Sequence, residues 1–172
     1  QAEPYLANAA GVAGVLGRPA RFTLADRYIA TRRYADARAL LGSMLAEEDG
    51  DGDVSLRLAQ LDAAEGNAPA AVRRLDATLR RKPGMASALL LKARVLFAIG
   101  NPDSKYARAA VTVDPTSSEA RMLLGDVLVA GGDTDGALAE YRQAVRRDPK
   151  DVVPRLALVR ALLLVGDGRE AL

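Results

Sequence analysis

The 172 residues include no cysteine, no histidine and no tryptophan, and aromatic side chains make up only 4%. Each absence removes a class of chemistry. Without His and Cys, neither a Ser-His-Asp nor a Cys-His nucleophile system can be assembled, and His/Cys sites for zinc or iron are excluded with them. Disulfides are impossible as well, so cysteine usage leaves the redox compartment undetermined. No apolar run approaches the roughly 20 residues that a membrane-spanning helix needs. An excess of one charge sign is also missing, since 24 Lys+Arg stand against 22 Asp+Glu for a net charge of +2. A dedicated nucleic-acid binder gathers a larger excess into one stripe. Here Arg32–Arg33, Arg73–Arg74, Arg80–Arg81–Lys82 and Arg146–Arg147 alternate with acidic groups such as Glu47–Glu48–Asp49.

What is present is a 49% hydrophobic, 27% charged chain of single-domain length, a globular rather than a disordered composition. It is periodic. Pro83, Pro115 and Pro149 are separated by 32 and 34 residues, and Gly66, Gly100, Gly132 and Gly166 by 34, 32 and 34. The small residues Ala25, Ala59, Ala93 and Gly125 step by 34, 34 and 32. Three residue classes thus share one period and the same two-residue shortening.

Each period reads as two helices. Leu124, Gly125, Val127 and Leu128 lie at helical spacing, and Gly131-Gly132 then supplies the left-handed cap that stops a helix. Asp133 and Asp135 offer capping oxygens to the next helix, whose buried stripe is Ala137, Tyr141, Ala144 and Val145. Asp148-Pro149 ends it, because proline disfavours helical geometry in the residue before it. No segment shows the alternation of a strand, so the expected fold class is all-α.

These residues resemble the tetratricopeptide repeat, a helix–turn–helix family with a 34-residue period. Residues 118–151 carry the pattern through Leu124-Gly125, Leu128, Gly132-Asp133, Ala137, Tyr141, Ala144 and Asp148-Pro149. Residues 52–85 carry it through Leu58-Ala59, Gly66-Asn67, Ala71, Leu75 and Pro83. Residues 18–51 do so through Leu24-Ala25, Tyr28, Tyr34, Ala37 and Leu41, with Asp49 where proline is usual. Residues 86–117 match through Ala93, Leu96, Gly100-Asn101, Ala107, Ala110 and Asp114-Pro115, with a shortened second helix for which Asn101 is the expected N-cap and Pro102 the first helical residue. Residues 152–172 match through Leu158, Leu162, Gly166-Asp167 and Ala171 and form an incomplete fifth repeat. Residues 1–17 are expected to form an N-terminal helix packing on the first repeat. A start at Gln1 rather than Met suggests a processed or trimmed segment, and the open fifth repeat suggests a longer chain or an end-to-end contact. The resemblance implies a right-handed superhelical solenoid with a concave inner face.

In this family the first helix of each repeat lines the groove. The fifth repeat positions hold Phe22, Leu56, Leu90, Met122 and Leu156; the ninth hold Asp26, Gln60, Arg94, Asp126 and Arg160; the twelfth hold Ile29, Ala63, Phe97, Val129 and Leu163. Spacings of four and three put these positions on one helical face. The expected binding groove is therefore Phe22, Asp26, Ile29, Leu56, Gln60, Leu90, Arg94, Phe97, Met122, Asp126, Val129, Leu156 and Arg160, a polar row with apolar flanks suited to an extended peptide or an amphipathic helix. The Lys/Asn carboxylate clamp of the family's chaperone-binding members is absent. Arg57 stands at a sixth position without help from other repeats, and Arg94 and Arg160 are separated by Asp126.

Other signals favour structural roles. The Arg80–Arg81 and Arg146–Arg147 pairs complement the negative ends of helix dipoles. Asp49-Gly-Asp-Gly-Asp53 resembles half of a calcium loop, yet the twelfth loop position is Gln60 rather than glutamate, and a helix N-cap is the better reading. The glycines at 11, 14 and 17 lack the Lys-Ser/Thr of a phosphate loop. Adjacent Glu47 and Glu48 point about 100° apart on a helix and cannot converge on one substrate.

The expectation is a non-catalytic scaffold without metal or cofactor. It binds a protein or peptide, not nucleic acid, and does not insert into a membrane. Arg far exceeds Lys in a chain rich in Ala, Leu and Gly, which looks bacterial; the resemblance to bacterial proteins with similar repeats implies an envelope assembly, such as pilus or exopolysaccharide export machinery, in the periplasm or cell envelope. The alternative is a homo-oligomeric platform joined through repeat ends by Leu158, Leu162, Leu163, Leu164 and Leu172.

Overall fold

The computed structural model describes residues 17–147, 149–164 and 166. The expected helix over residues 1–17 lies outside them except for Gly17, as do Ala171 and Leu172. Among the described residues there are nine α-helices and no strand. They are α1 (Gly17–Ala30), α2 (Tyr34–Glu47), α3 (Gly52–Ala64), α4 (Ala68–Arg81), α5 (Ala86–Ala98), α6 (Lys105–Val113), α7 (Ser118–Ala130), α8 (Thr134–Arg147) and α9 (Val152–Leu164). They fall into two compact units divided between Lys82 and Pro83.

In unit 1, each of α1 to α4 packs on the next, and α1 also touches α3. Its core holds Ala25, Ala37, Leu41, Met44, Val54, Leu58 and Leu61. Asp62 is buried, and its charge is held by Arg38 Nη2 at 2.8 Å and Arg74 Nε at 3.0 Å. In unit 2, α5 to α9 pack in the same sequential way, with extra contacts of α7 to α5 and α9. Its core runs from Ala93 and Ala107 through Leu123, Leu124, Val127 and Leu128 to Tyr141, Ala161 and Leu162. This is an all-α helical-repeat architecture, in which successive helices bury faces that none could bury alone.

Local chemistry starts and stops the helices where the pattern demands. The Asp51 carboxylate caps α3 by accepting from Asp53 N at 2.9 Å and Val54 N at 3.3 Å. Asn67 caps α4 through Ala70 N at 3.1 Å, and Ser117 caps α7 through Ala120 N at 3.1 Å. Asp133 accepts from Gly136 N at 2.9 Å at the start of α8. At the turns after α3, α5 and α7 the chain passes through Gly66, Gly100 and Gly132 at φ +80°, +77° and +84°. The next amide donates back to the helix in each case, as in Asn67 N to Asp62 O at 2.8 Å, the Schellman pattern. The turn after α1 makes the same bond, Arg33 N to Tyr28 O at 2.8 Å, but its left-handed residue is Arg32 at φ +59°.

The shortened repeat departs from expectation. Asn101 does not cap a helix and Pro102 is not its first residue; α6 begins at Lys105, whose amide donates to Asp103 Oδ1 at 2.9 Å. It has 9 residues where α2, α4 and α8 have 14. Counted back from Pro115, the buried Ala107 and Ala110 occupy the places that Leu75 and Thr78 fill before Pro83 and that Tyr141 and Ala144 fill before Pro149. The C-terminal part of the helix, with these two buried positions, is kept, and the shortening falls on the first turn, where the other second helices bury Ala37, Ala71 and Ala137. Lys92 is buried here where the other repeats place leucine, and its Nζ lies 3.8 Å from the centroid of the Tyr106 ring.

Candidate functional site

The first helices of unit 2 surround a cavity of about 340 Å3. Phe97 of α5, Asp126, Val129 and Ala130 of α7, and Ala157, Arg160, Ala161 and Leu164 of α9 form its wall, with Tyr141 of α8 behind. Four of the expected groove residues, Phe97, Asp126, Val129 and Arg160, thus meet at one cavity. The wall is mostly apolar because Ala157, Ala161 and Leu164 recur about one turn apart on α9, Val129 and Ala130 follow Asp126 by about one turn on α7, and α5 adds the Phe97 ring.

Asp126 is half-buried, and the Tyr141 hydroxyl donates to its Oδ1 at 2.7 Å. Burial, and then this carboxylate, push the Tyr141 phenol above its ordinary value of 10.0, so it remains a neutral donor. The ring reaches Asp126 only because residue 125 is glycine. A Cβ there would lie 2.7 and 2.8 Å from Cζ and Cδ1 of Tyr141, and closer still to Cε1. Arg160 is exposed at the cavity edge and has no acidic partner among the described residues.

The other expected residues of unit 2 lie apart from this cavity. Leu90 and Met122 are half-buried against the core, as are Phe97 and Val129, so the apolar groove residues also serve packing. Leu90 borders a separate hollow with Ser87, Asp114 and Ser117. Arg94 is paired with Glu119. Leu156 is 52% exposed on α9 and does not reach the cavity.

Unit 1 has a corresponding hollow of about 370 Å3, formed by Asp26, Ile29, Ala30, Leu56, Arg57 and Gln60. Phe22 and Ile29 pack on the unit 1 core and Leu56 is buried, while Asp26 and Gln60 are exposed. Arg57 grips Asp26 through Nε at 3.0 Å and Nη2 at 3.3 Å. Its guanidinium also sits 4.0 Å from the centroid of the Phe22 ring, and Arg18 lies 5.1 Å from the same ring. The polar residues at this hollow are therefore largely satisfied within the chain.

Two polar residues lining these hollows were not among the expected groove set, Arg57 and Tyr141. For Tyr141 the signal was present: the only repeat with glycine rather than alanine at the eighth position has the bulkiest side chain at the matching place in its second helix. For Arg57 it was weaker, an opposite charge to Asp26 on the neighbouring first helix. Elsewhere, Asp51 is engaged by its capping amides and by Arg18. Burial opposes its charge, but the Arg18 guanidinium and the Val54 and Asp53 amides outweigh burial, and the net direction of its pKa is down. Among the described residues no group of three or more His, Cys, Asp or Glu could hold a metal ion, and no helix is long and apolar enough to cross a membrane.

Comparison with known proteins agrees with this architecture. Tetratricopeptide-repeat family models match residues 28–84 and 104–152. Among solved structures, MamA from Desulfovibrio magneticus is 20% identical, with 88% of this chain and 86% of its own covered and a TM-score of 0.77. A thermophilic tetratricopeptide-repeat protein of Thermus thermophilus is 22% identical, with 84% and 80% covered and a TM-score of 0.73. At these identities the likeness concerns the fold. No curated protein matches the chain. With two family models covering most of its helices, the chain belongs to the tetratricopeptide-repeat family, whose members are protein-interaction scaffolds.

Proposed function

We propose that the chain is a non-catalytic scaffold that holds a peptide or an amphipathic helix of a partner protein against the first-helix face of unit 2, and that it serves the assembly of a larger complex. One observation carries this reading: a concave, largely apolar cavity with one carboxylate and one guanidinium at its edge. Such a lining suits a side chain flanked by backbone. The absence of His and Cys supports a holding rather than a converting role. The near balance of charge supports a protein partner over nucleic acid. The Arg-rich, Lys-poor composition supports a bacterial setting, and the likeness to bacterial proteins with similar repeats favours an envelope complex such as pilus or exopolysaccharide machinery as its place.

The test uses cavity residues that are exposed and can be changed without disturbing the core: Ala130→Gln, Arg160→Glu and Leu164→Asn. Immobilised wild-type chain is expected to retain a partner that all three variants lose at least tenfold, with helicity and melting unchanged. Equal retention by the three would sink the groove reading.

Self-association is a second reading, favoured by the surface of α9. Val152, Val153, Leu156, Leu163 and Leu164 are 52–68% exposed on one face of that helix. The surface differs from the expected one, because Leu162 is buried at 1% and Leu158 packs on the core. Sedimentation decides the matter, and a monomer unchanged over a wide concentration range excludes the platform.

A further inference from the structure

The charged groups on the first-helix face of unit 2 are unequally satisfied. Arg94 is held by Glu119, and Asp126 Oδ1 accepts the Tyr141 hydroxyl. Two groups are left over. Arg160 has no acidic partner among the described residues, and Asp126 Oδ2 has no donor among them. Both belong to a cavity whose wall also includes Phe97, Val129, Ala130, Ala157, Ala161 and Leu164, with Tyr141 behind.

The size of the cavity limits what can enter. At about 340 Å3 it lies at the bottom of the ~300–1,000 Å3 range of small-molecule sites, which suits one large apolar side chain. A side chain seated there brings its own backbone and its neighbours to the cavity edge, since successive Cα atoms are only ~3.8 Å apart. The exposed guanidinium then complements a neighbouring carboxylate. The half-buried Asp126, with one oxygen already bonded, is suited to a backbone amide through the other.

We propose that this cavity selects peptides in which a large apolar residue stands next to an acidic one, with the apolar side chain between Phe97, Val129 and Leu164 and the carboxylate on Arg160. The proposal rests on the groove reading and adds the chemistry of the partner. A basic residue at the same place would meet the unpaired guanidinium and be rejected.

The experiment is selection of phage-displayed random dodecapeptides on the whole chain, run in parallel on wild type, Arg160→Glu, Ala130→Gln and Leu164→Asn. Wild type is expected to enrich an apolar–acidic pair, and Arg160→Glu to replace the acid by Lys or Arg. A synthetic wild-type-selected peptide is expected to bind Arg160→Glu about tenfold more weakly, and to weaken in wild type as salt rises. Peptides that depend on Ala130 and Leu164 but show no acid preference, a basic preference, or no response to Arg160→Glu would overturn this proposal and leave the groove reading standing. Peptides selected equally by Ala130→Gln and Leu164→Asn, or no enrichment at all, would overturn both.

Discussion

Replacing Gly125 with alanine sets two effects of opposite sign against each other. Residue 125 lies in the middle of α7, where Ala is favoured over Gly by about 1 kcal/mol. Against that gain stands the Tyr141 ring, three atoms of which would lie within 2.8 Å of the new Cβ. The ring is 3% exposed, and its hydroxyl is fixed to Asp126 at 2.7 Å, so it cannot yield without losing packing and that bond. Overpacking costs about 1–3 kcal/mol, and a hydrogen bond to a charged group contributes about 1.5–3 kcal/mol. If both are lost, the net expectation is a destabilisation of about 1.5–5 kcal/mol after the helix gain. Urea unfolding followed by far-ultraviolet circular dichroism measures it. The chain contains its own control, since Ala25 with Leu41 and Ala59 with Leu75 stand at the same offset as Gly125 with Tyr141, and all four are buried. Gly125→Ala combined with Tyr141→Leu recreates that pairing, so the double variant should be more stable than the two single losses predict, by a coupling of about 0.5–3 kcal/mol. A Gly125→Ala protein as stable as wild type, or strict additivity in the cycle, would refute the reasoning.

Two further outcomes follow from single residues. Arg32 holds φ +59° on the surface at the turn where later repeats use glycine. A left-handed non-glycine residue costs roughly 1–2 kcal/mol and glycine's extra unfolded freedom roughly 0.5–1 kcal/mol, so Arg32→Gly is expected to stabilise by up to about 1.5 kcal/mol, read as a raised urea midpoint; a lowered midpoint counts against it. Tyr141 has a folded pKa above its unfolded value, so its contribution is complete below about pH 10 and is lost as pH rises beyond that. The melting temperature of wild type should therefore fall more steeply above pH 10 than that of Tyr141→Phe, and the native tyrosinate absorbance should lack one group that appears on unfolding; parallel curves would contradict the burial and Asp126 contact as its cause.

The helices and their order were legible because the code is local. Gly66 and Gly132 must be glycines to reverse the chain without strain, Asn67 and Asp133 offer capping oxygens, and small residues recur where helices approach. Where the chain broke its own period, local reading failed. Asn101-Pro102 has the look of a helix start, but the helix follows Ala107 and Ala110, whose burial is decided by neighbouring helices and not by the turn. The site was legible to the same degree. A helical face could be drawn through Phe97, Asp126, Val129 and Arg160 by counting. That Tyr141 would enter from the second helix depended on the missing Cβ of Gly125, a contact between elements that no spacing rule describes.

That distinction also separates the two units as candidate binding surfaces. Counting treats Asp26 and Asp126 as equivalents, both acids at a ninth position. In unit 1 the acid is closed by Arg57, which bonds it at 3.0 Å and lies over Phe22, so a partner entering that hollow must displace an internal contact. An exposed ion pair of this kind contributes about 0–1 kcal/mol and the ring contact about 0.5–1 kcal/mol, together on the order of tenfold in affinity. In unit 2 the acid is braced from behind by Tyr141, and among the described residues nothing else pairs with Asp126 Oδ2 or the Arg160 guanidinium. The same residue type at the same repeat position is thus a closed pair in one unit and a prepared contact in the other, and the difference lies in which neighbour reaches it first.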